Sequence, residues 1–258
     1  FDASGELVAT LTSGIRAPNN LATDSAGHVF VVSRLNDTVE QFKVLQQTSV
    51  SDATTRISVY AAPCYCAGTL IRTDKAEVPV EMLKRGDLVM TTEGVARPIS
   101  WIGRRAICAG FADPICCWPI RVMAGALGDN VPSRDLRLST DHALLVEGVL
   151  IQAGALVNGT SIVRETSVPE NFIYYHVELD DHALILAENA PAETFVDNVD
   201  RLGFDNWAEH EALYPDGKTV EEMPFPRAKA RRQVPLHIRA ALDARAIALG
   251  AQARAAVA

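Results

Sequence analysis

An internal repeat constrains the fold of this chain more than any other feature of its sequence. Residues 68–90, GTLIRTDKAEVPVEMLKRGDLVM, can be laid on residues 141–163, DHALLVEGVLIQAGALVNGTSIV. Each segment reads as a strand, an acidic turn, a short apolar turn ending in Leu, a Gly and a second strand. The aligned positions are Leu83, Gly86 and Val89 with Leu156, Gly159 and Ile162. We therefore predict two copies of one β unit, with chance agreement of these positions as the alternative.

The repeat also predicts which residues meet. A pseudo-two-fold axis brings the starts of equivalent strands together, and Thr69 and His142 begin the equivalent strands here. From Cys64 to about Phe195 the pattern stays β, with Gly punctuation and no long amphipathic helix. We therefore predict an all-β fold with a pseudo-two-fold internal repeat, and a domain over residues 64–200.

Composition excludes several classes of protein. A chain of 258 residues with 48% hydrophobic content can bury a core without disulfide staples. No apolar run approaches the roughly 20 residues that a membrane helix needs, so we expect no transmembrane segment. The net charge of −8 disfavours nucleic acid as a partner, because phosphate binding needs clustered Lys and Arg.

The N-terminal residues 1–45 read as a β meander, with a first hairpin around Ser4 and Gly5. The order of Pro, apolar and Asp/Gly positions between Pro18 and Phe42 resembles one blade of an NHL-type β-propeller. The alternative is a plain meander next to the following domain. Residues 46–63 are rich in Ser and Thr and predict a linker. Because the chain begins without Met or a leader pattern, we expect a fragment of a longer protein.

The C-terminal extension, residues 201–258, ends in a basic segment. An apolar stripe that follows Pro235 predicts an α-helix, and Gly250 is its expected end. The stripe residues are Ile238, Leu242, Ala246 and Leu249. We expect the stripe to pack on the β domain with the charges solvated, and contact with an acidic partner or a membrane is the alternative.

Several motifs occur in a fixed order along the β region. They are CYCAGTLIRT from Cys64, VPVEMLKRGDLVMT, LSTDHALLVEG, and YYHVELDDHALILAENA. Together they resemble the Hint superfamily, the module shared by hedgehog C-terminal domains and inteins, and look closest to its bacterial intein-like members. The resemblance covers about half of the chain, and it implies an autoprocessing function.

The resemblance implies a role for four side chains. Cys64 is in the position of the nucleophile, which attacks the Pro63 carbonyl and turns a peptide bond into a thioester. The Thr-x-x-His motif of the family is matched from Ser139 to His142, with Ser139 in place of Thr. His142 then protonates the departing amide nitrogen, and His182 matches a histidine that assists later in inteins. A hydrogen-bonded strand residue is the alternative for His142. Nearby His176 is the candidate for another polar role, and an exposed strand residue is the alternative for it and for His182.

The expected reaction is a single-turnover cleavage with the chain's own N-terminal segment as substrate. Water or an unidentified external nucleophile resolves the thioester, and no cofactor or metal is required. Splicing is not expected, because ENAPAETF after Ala187 lacks a terminal His-Asn followed by Cys, Ser or Thr. Pro63 restricts the geometry of attack. The alternative is a catalytically silent Hint-like binding module. Either belongs to a larger bacterial surface or secreted protein, by resemblance to such modules.

The remaining cysteines have other expected roles. Cys66 is predicted to be a packed thiol, with a redox partner of Cys64 as the alternative. Cys108, Cys116 and Cys117 are predicted either to pack in the core or to form a disulfide. Their spacing does not complete a four-ligand zinc site, so we expect no metal.

Overall fold

The computed structural model describes residues 63–110, 112–197 and 201–255, and three strands nearer the N-terminus. The chain divides into two compact units, Phe1–Ser58 and Val59–Ala258. The described strands of the first unit are β1 (Pro18–Thr23), β2 (His28–Ser33) and β3 (Thr38–Lys43). They form an antiparallel sheet in that order, which confirms the predicted β meander. The predicted hairpin around Ser4 and Gly5 and the predicted linker over 46–63, apart from Pro63, lie outside the described residues.

The second unit is built from short strands. They are β4 (Tyr65–Cys66), β5 (Leu70–Arg72), β6 (Glu77–Pro79), β7 (Leu88–Met90), β8 (Ala96–Pro98), β9 (Trp101–Cys108), β10 (Ile120–Val122), β11 (Leu136–Leu138), β12 (Ala143–Val146), β13 (Val149–Gln152), β14 (Ile162–Arg164), β15 (Asn171–Glu178), β16 (Leu184–Ala187), β17 (Ala190–Glu193) and β18 (Arg227–Ala228). Its helices are α1 (Pro114–Cys117), α2 (Ala153–Leu156), α3 (Trp207–Leu213) and α4 (Leu236–Ala255), with 3-10 turns at Val80–Met82, Arg201–Gly203 and Arg231–Gln233. Between residues 63 and 197 the described helices are single turns, so the all-β prediction is confirmed.

Most of these strands belong to two large sheets. One has the order β14-β10-β11-β4-β15-β9, and the other has the order β18-β13-β12-β17-β16-β5-β6. Strands β7 and β8 form a separate ribbon. In the second large sheet, β6-β5-β16 on one side is matched by β13-β12-β17 on the other. The pseudo-two-fold axis therefore passes between β16 and β17, which form a hairpin.

The hydrogen bonds of the two halves confirm the predicted repeat. The Val80 N–H donates to the Thr69 carbonyl at 2.8 Å, and the Ala153 N–H donates to the His142 carbonyl at 2.9 Å. These bonds join equivalent positions of the two β units. Each unit then turns at a glycine, Gly86 or Gly159, with φ of 89° and 79°. Only glycine adopts such a left-handed conformation at little cost, which explains this part of the sequence pattern.

The predicted C-terminal helix is present as α4, which runs through Gly250 rather than ending there. A single glycine weakens a helix but does not end it, so Gly250 was a poor stop signal. Ile238 and Leu242 are buried in the main hydrophobic core of the second compact unit. The interpretation of α4 as a helix packed on the β domain is therefore confirmed. In the residues that the structure describes, we find no helix with the length and hydropathy needed to cross a membrane.

Candidate active site

Cys64 lies completely buried just before β4 and is held by Ser139. The Cys64 N–H donates to the Ser139 hydroxyl oxygen at 2.8 Å. In return, the Ser139 N–H donates to the Cys64 carbonyl at 2.9 Å. The two residues are brought together because β4 and β11 are neighbouring antiparallel strands, with Tyr65 opposite Leu138. The nitrogen of the Pro63–Cys64 peptide bond is thereby fixed against a hydroxyl group.

His142 begins the repeat strand β12 and lies in the same buried site. Its N–H donates to the Ser139 carbonyl at 3.3 Å, so a tight turn connects the two residues. The His142 ring is 4.3 Å from the Tyr65 ring, measured between centroids. The structure therefore confirms the repeat-based expectation that His142 lies beside the chain that follows Cys64.

The hydrogen bonding of His142 defines its tautomer. The ring Nε2 is 3.1 Å from the Glu193 carbonyl oxygen, so Nε2 carries the proton and donates it. The other nitrogen, Nδ1, is buried and has no hydrogen-bond partner among the described residues. Burial lowers the pKa of His142 to about 4, against the opposing effects of the Glu193 charge and of backbone contacts with Glu193 and Cys64. His142 is therefore neutral at neutral pH, with a free lone pair on Nδ1.

Glu193 is the site residue that sequence reasoning missed. Its carbonyl also accepts from the Tyr65 hydroxyl at 3.2 Å, and its carboxylate accepts from the Ala143 N–H at 2.9 Å. Burial by itself raises the pKa of Glu193, but hydrogen bonds with His182 and Arg227 outweigh burial and lower it to about 2. A charged residue in the otherwise apolar strand β17 was the available signal.

His182 and His176 are both buried, so the exposed-strand alternative is wrong for each. His182 Nδ1 accepts from the Met223 N–H at 3.0 Å, and its Nε2 is 3.4 Å from the Glu193 carboxylate. His176 packs edge-on against His142, with centroids 5.1 Å apart, and neither of its ring nitrogens has a hydrogen-bond partner in the described region. Strand alternation did not predict this burial, because the residues that follow 197 cover this part of the sheet.

The thiols of the site are protonated. Burial raises the pKa of Cys64 far above that of a free thiol and raises the pKa of Cys66 to about 12. All five cysteines of the chain fall in its described part and are free thiols. Cys66 is therefore not joined to Cys64. For Cys108, Cys116 and Cys117 the structure has no disulfide, and Cys117 alone of the three is buried in the core.

The C-terminal extension also contributes to the site. Phe204 is buried in one cluster with Cys64, Trp101 and Phe195, and its ring stacks on His176 with centroids 6.2 Å apart. Nearby, the Glu178 carboxylate accepts from Arg201, His210 and Lys218 at 3.0 to 3.1 Å. These contacts hold the extension against the sheet. Sequence reasoning did not find them, because no spacing pattern links the extension to the β domain.

The comparisons with known proteins identify the family. The sequence profile of the Hint domain matches residues 63–199, which is more than half of the chain. The chain therefore belongs to the Hint domain family, and an autoprocessing type of function is supported. Residues 1–45 lie outside this match, so the propeller-blade resemblance gains no support. Within the described residues, no group of three or more His, Cys, Asp or Glu side chains is arranged to hold a metal ion.

Solved structures that resemble the chain are inteins and an intein-like domain. The bacterial intein-like domain from Clostridium thermocellum is 19% identical, with 52% of this chain and 100% of that one covered and a TM-score of 0.39. The MchDnaB-1 intein is 12% identical over 50% of this chain and 98% of its own, with a TM-score of 0.35. The gp41-1 intein is 10% identical over 51% and 98%, with a TM-score of 0.37. A search of curated proteins gave no significant match.

Proposed function

We propose that this chain cleaves itself between Pro63 and Cys64 through an N-to-S acyl shift. The observation that carries the proposal is the hydrogen bond from the Cys64 N–H to the Ser139 hydroxyl, 2.8 Å long and buried. The leaving nitrogen is that of Cys64, and it is already held by Ser139. The Ser139 carbonyl also accepts a hydrogen bond from the His142 backbone N–H. An amide nitrogen departs only after protonation, so a histidine tethered to this nitrogen supports the proposed chemistry.

The proposed step keeps protons and bonds balanced. The Cys64 sulfur attacks the Pro63 carbonyl carbon, and the thiol proton moves to Nδ1 of His142 as the S–C bond forms. The C–N bond then breaks while the same proton passes from Nδ1 to the Cys64 nitrogen. The products are a thioester at Pro63 and a free Cys64 amine. Water or an added nucleophile next cleaves the thioester and restores the thiol.

Two features of His142 support its part in this step. Because the ring is neutral and Nδ1 is unpartnered within the described residues, Nδ1 is able to accept the thiol proton. Because the Glu193 charge raises the pKa of His142, it stabilises the imidazolium that forms during the transfer. We assign His182 a supporting part, since it contacts the same Glu193 carboxylate rather than Cys64.

A catalytically silent module is the second candidate, and burial of the nucleophile favours it. The thiolate is the reactive form of cysteine, and burial strongly disfavours the thiolate of Cys64. Pro63 adds a restriction on the backbone at the carbonyl under attack. In this candidate the domain keeps the Hint fold and serves as a binding appendage.

Intact mass spectrometry of the purified chain separates the two candidates. The chain, its Cys64→Ala variant and the matched control Cys66→Ala are incubated with buffer, with a thiol and with hydroxylamine. Autoprocessing gives fragments 1–63 and 64–258 from the parent and the control, with a hydroxamate on Pro63 in hydroxylamine. Cys64→Ala stays intact. A parent chain that keeps its full mass in hydroxylamine contradicts the proposal and supports the silent module.

A further inference from the structure

The segment that follows the family match adds a strand to the sheet that carries His142. Strand β18 pairs in parallel with β13, with Arg227 opposite Leu150. The Leu150 N–H donates to the Pro226 carbonyl at 2.9 Å, and Ala228 is buried against the core. The backbone of Arg227 is therefore fixed by sheet pairing, although it lies well beyond residue 199, where the Hint match ends.

The Arg227 side chain reaches inward to Glu193. Its guanidinium donates to the two oxygens of the Glu193 carboxylate, at 2.7 Å from Nη2 and 3.3 Å from Nη1. The Glu193 side chain is 1% exposed and that of Arg227 is 10% exposed. On its other edge, the Arg227 Nε donates to Glu222 at 2.5 Å. A planar guanidinium held on both edges fixes the position of the carboxylate it binds.

Glu193, whose carboxylate is fixed by Arg227, in turn contacts the segment that contains His142. Its carboxylate accepts from the N–H of Ala143, the residue directly after His142, at 2.9 Å. Its own carbonyl accepts the hydrogen bond that the Nε2–H of His142 donates. One residue therefore anchors both the backbone and the ring of the histidine. If the Glu193 carbonyl moves away, the buried Nε2–H loses its acceptor, and the tautomer with the proton on Nδ1 becomes competitive.

We propose that Arg227 is a positioning residue that, through Glu193, keeps the proton of His142 on Nε2 and leaves Nδ1 free. The proposal rests on the proposed function, because only a free Nδ1 accepts the Cys64 proton. Its consequence is that the smallest unit able to cleave extends past the Hint match to β18. The ionisable groups that face Glu193 are Tyr65, His142, His176, His182 and Arg227.

The test compares Arg227→Met with Arg227→Lys and uses Arg231→Met as the matched control. Arg231 lies in the same extension and donates to the Val157 carbonyl at 2.6 Å, away from Glu193. Each change is made in the parent chain and in a Cys64→Ala chain that does not cleave. The first set reports the cleavage rate in hydroxylamine. The second set reports the His142 tautomer from its ring nitrogen NMR shifts.

We expect Arg227→Met to slow cleavage by about 10- to 100-fold, a large part of what general acid–base assistance contributes. In the Cys64→Ala chain, the same change is expected to place part of the population in the Nδ1–H tautomer. Arg227→Lys is expected to recover only part of both signals, because it restores the charge beside Glu193 but not the planar contact with both carboxylate oxygens. Arg231→Met is expected to match its parent in both measurements.

An unchanged tautomer in Arg227→Met overturns the proposal, whatever the cleavage rate. A parent that never cleaves, but whose tautomer responds to Arg227→Met, refutes the proposed function and leaves the positioning role supported. If Arg227→Met does not fold, Glu193→Gln replaces it, because glutamine can still accept from the Ala143 N–H. In the Cys64→Ala chain, Glu193→Gln must then place part of the population in the Nδ1–H tautomer, because Arg227 no longer has a carboxylate to hold, and an unchanged tautomer overturns the proposal.

Discussion

Protonation of His142 gives a quantitative prediction for stability. Its pKa falls from an ordinary 6.5 to about 4 in the folded chain, because burial disfavours the charged ring. Each pKa unit corresponds to about 1.4 kcal/mol, so the shift is worth about 3 kcal/mol. In the window between these two pKa values the unfolded chain binds the proton and the folded chain does not. The free energy of unfolding therefore falls as the pH is lowered through this window, and it levels off below about pH 4.

The assay is urea unfolding at a series of pH values, in the Cys64→Ala chain so that the backbone stays intact. The comparison is with the same chain carrying His142→Gln, which can still donate to the Glu193 carbonyl but cannot titrate. Groups that do not contact His142 titrate alike in both proteins and cancel in the difference. We expect the His142 chain to lose about 3 kcal/mol more than the glutamine variant between about pH 7 and about pH 4. Parallel curves would mean that His142 titrates near its ordinary pKa, and would refute the reasoning.

Three further substitutions test the contacts around the site. Ser139→Ala removes the acceptor of the buried Cys64 N–H, so we expect about 1–3 kcal/mol less stability and slower cleavage, by urea unfolding and intact mass. Gly103→Ala places a Cβ 2.6 Å from the Phe204 ring, and we expect about 1–3 kcal/mol of destabilisation by urea unfolding. Glu178→Leu removes the buried carboxylate that Arg201, His210 and Lys218 share, while Arg201 keeps Asp197 and Lys218 keeps Asp180, so we expect a loss of about 1–3 kcal/mol in the same assay.

Two of these substitutions have a matched control. Ser139→Thr keeps the hydroxyl and must cleave like the parent if the hydroxyl is what matters. Gly110→Ala adds a Cβ with nothing within 4 Å, so it must leave the unfolding curve almost unchanged. If Gly103→Ala matches Gly110→Ala, Phe204 is not held against the sheet in solution.

The fold of the β region could be predicted because its signals are local and occur twice. Each copy of the repeat contains a strand, a turn and a glycine. The two glycines, Gly86 and Gly159, have φ of 89° and 79°, and this backbone conformation requires glycine. The proximity of His142 to Cys64 followed from the same repeat. Local patterns of this kind can be recognised in the sequence without information about contacts between distant residues.

The rest of the site could not be predicted, because it depends on where distant segments lie. Arg227 meets Glu193 only because β18 adds to the edge of a sheet that the repeat forms. His176 is buried because Phe204 stacks on it, and Phe204 belongs to a segment with no periodic relation to the strand. Sequence spacing describes neighbours along a strand or a helix, and these contacts join residues that are neighbours only in the folded chain.

Burial of Cys64 and His142 also bears on the timing of proton transfer in the proposed reaction. Burial raises the pKa of the thiol and lowers the pKa of the imidazole, so both groups are neutral and a thiolate–imidazolium pair is rare at rest. In the proposed reaction the thiol proton therefore moves as the S–C bond forms, and the Glu193 charge stabilises the imidazolium that results. The buried cluster that contains Phe204 also contains Cys64. In the proposed reaction this burial limits the water that reaches the thioester, so we expect an added thiol or hydroxylamine to accelerate cleavage far more than buffer alone.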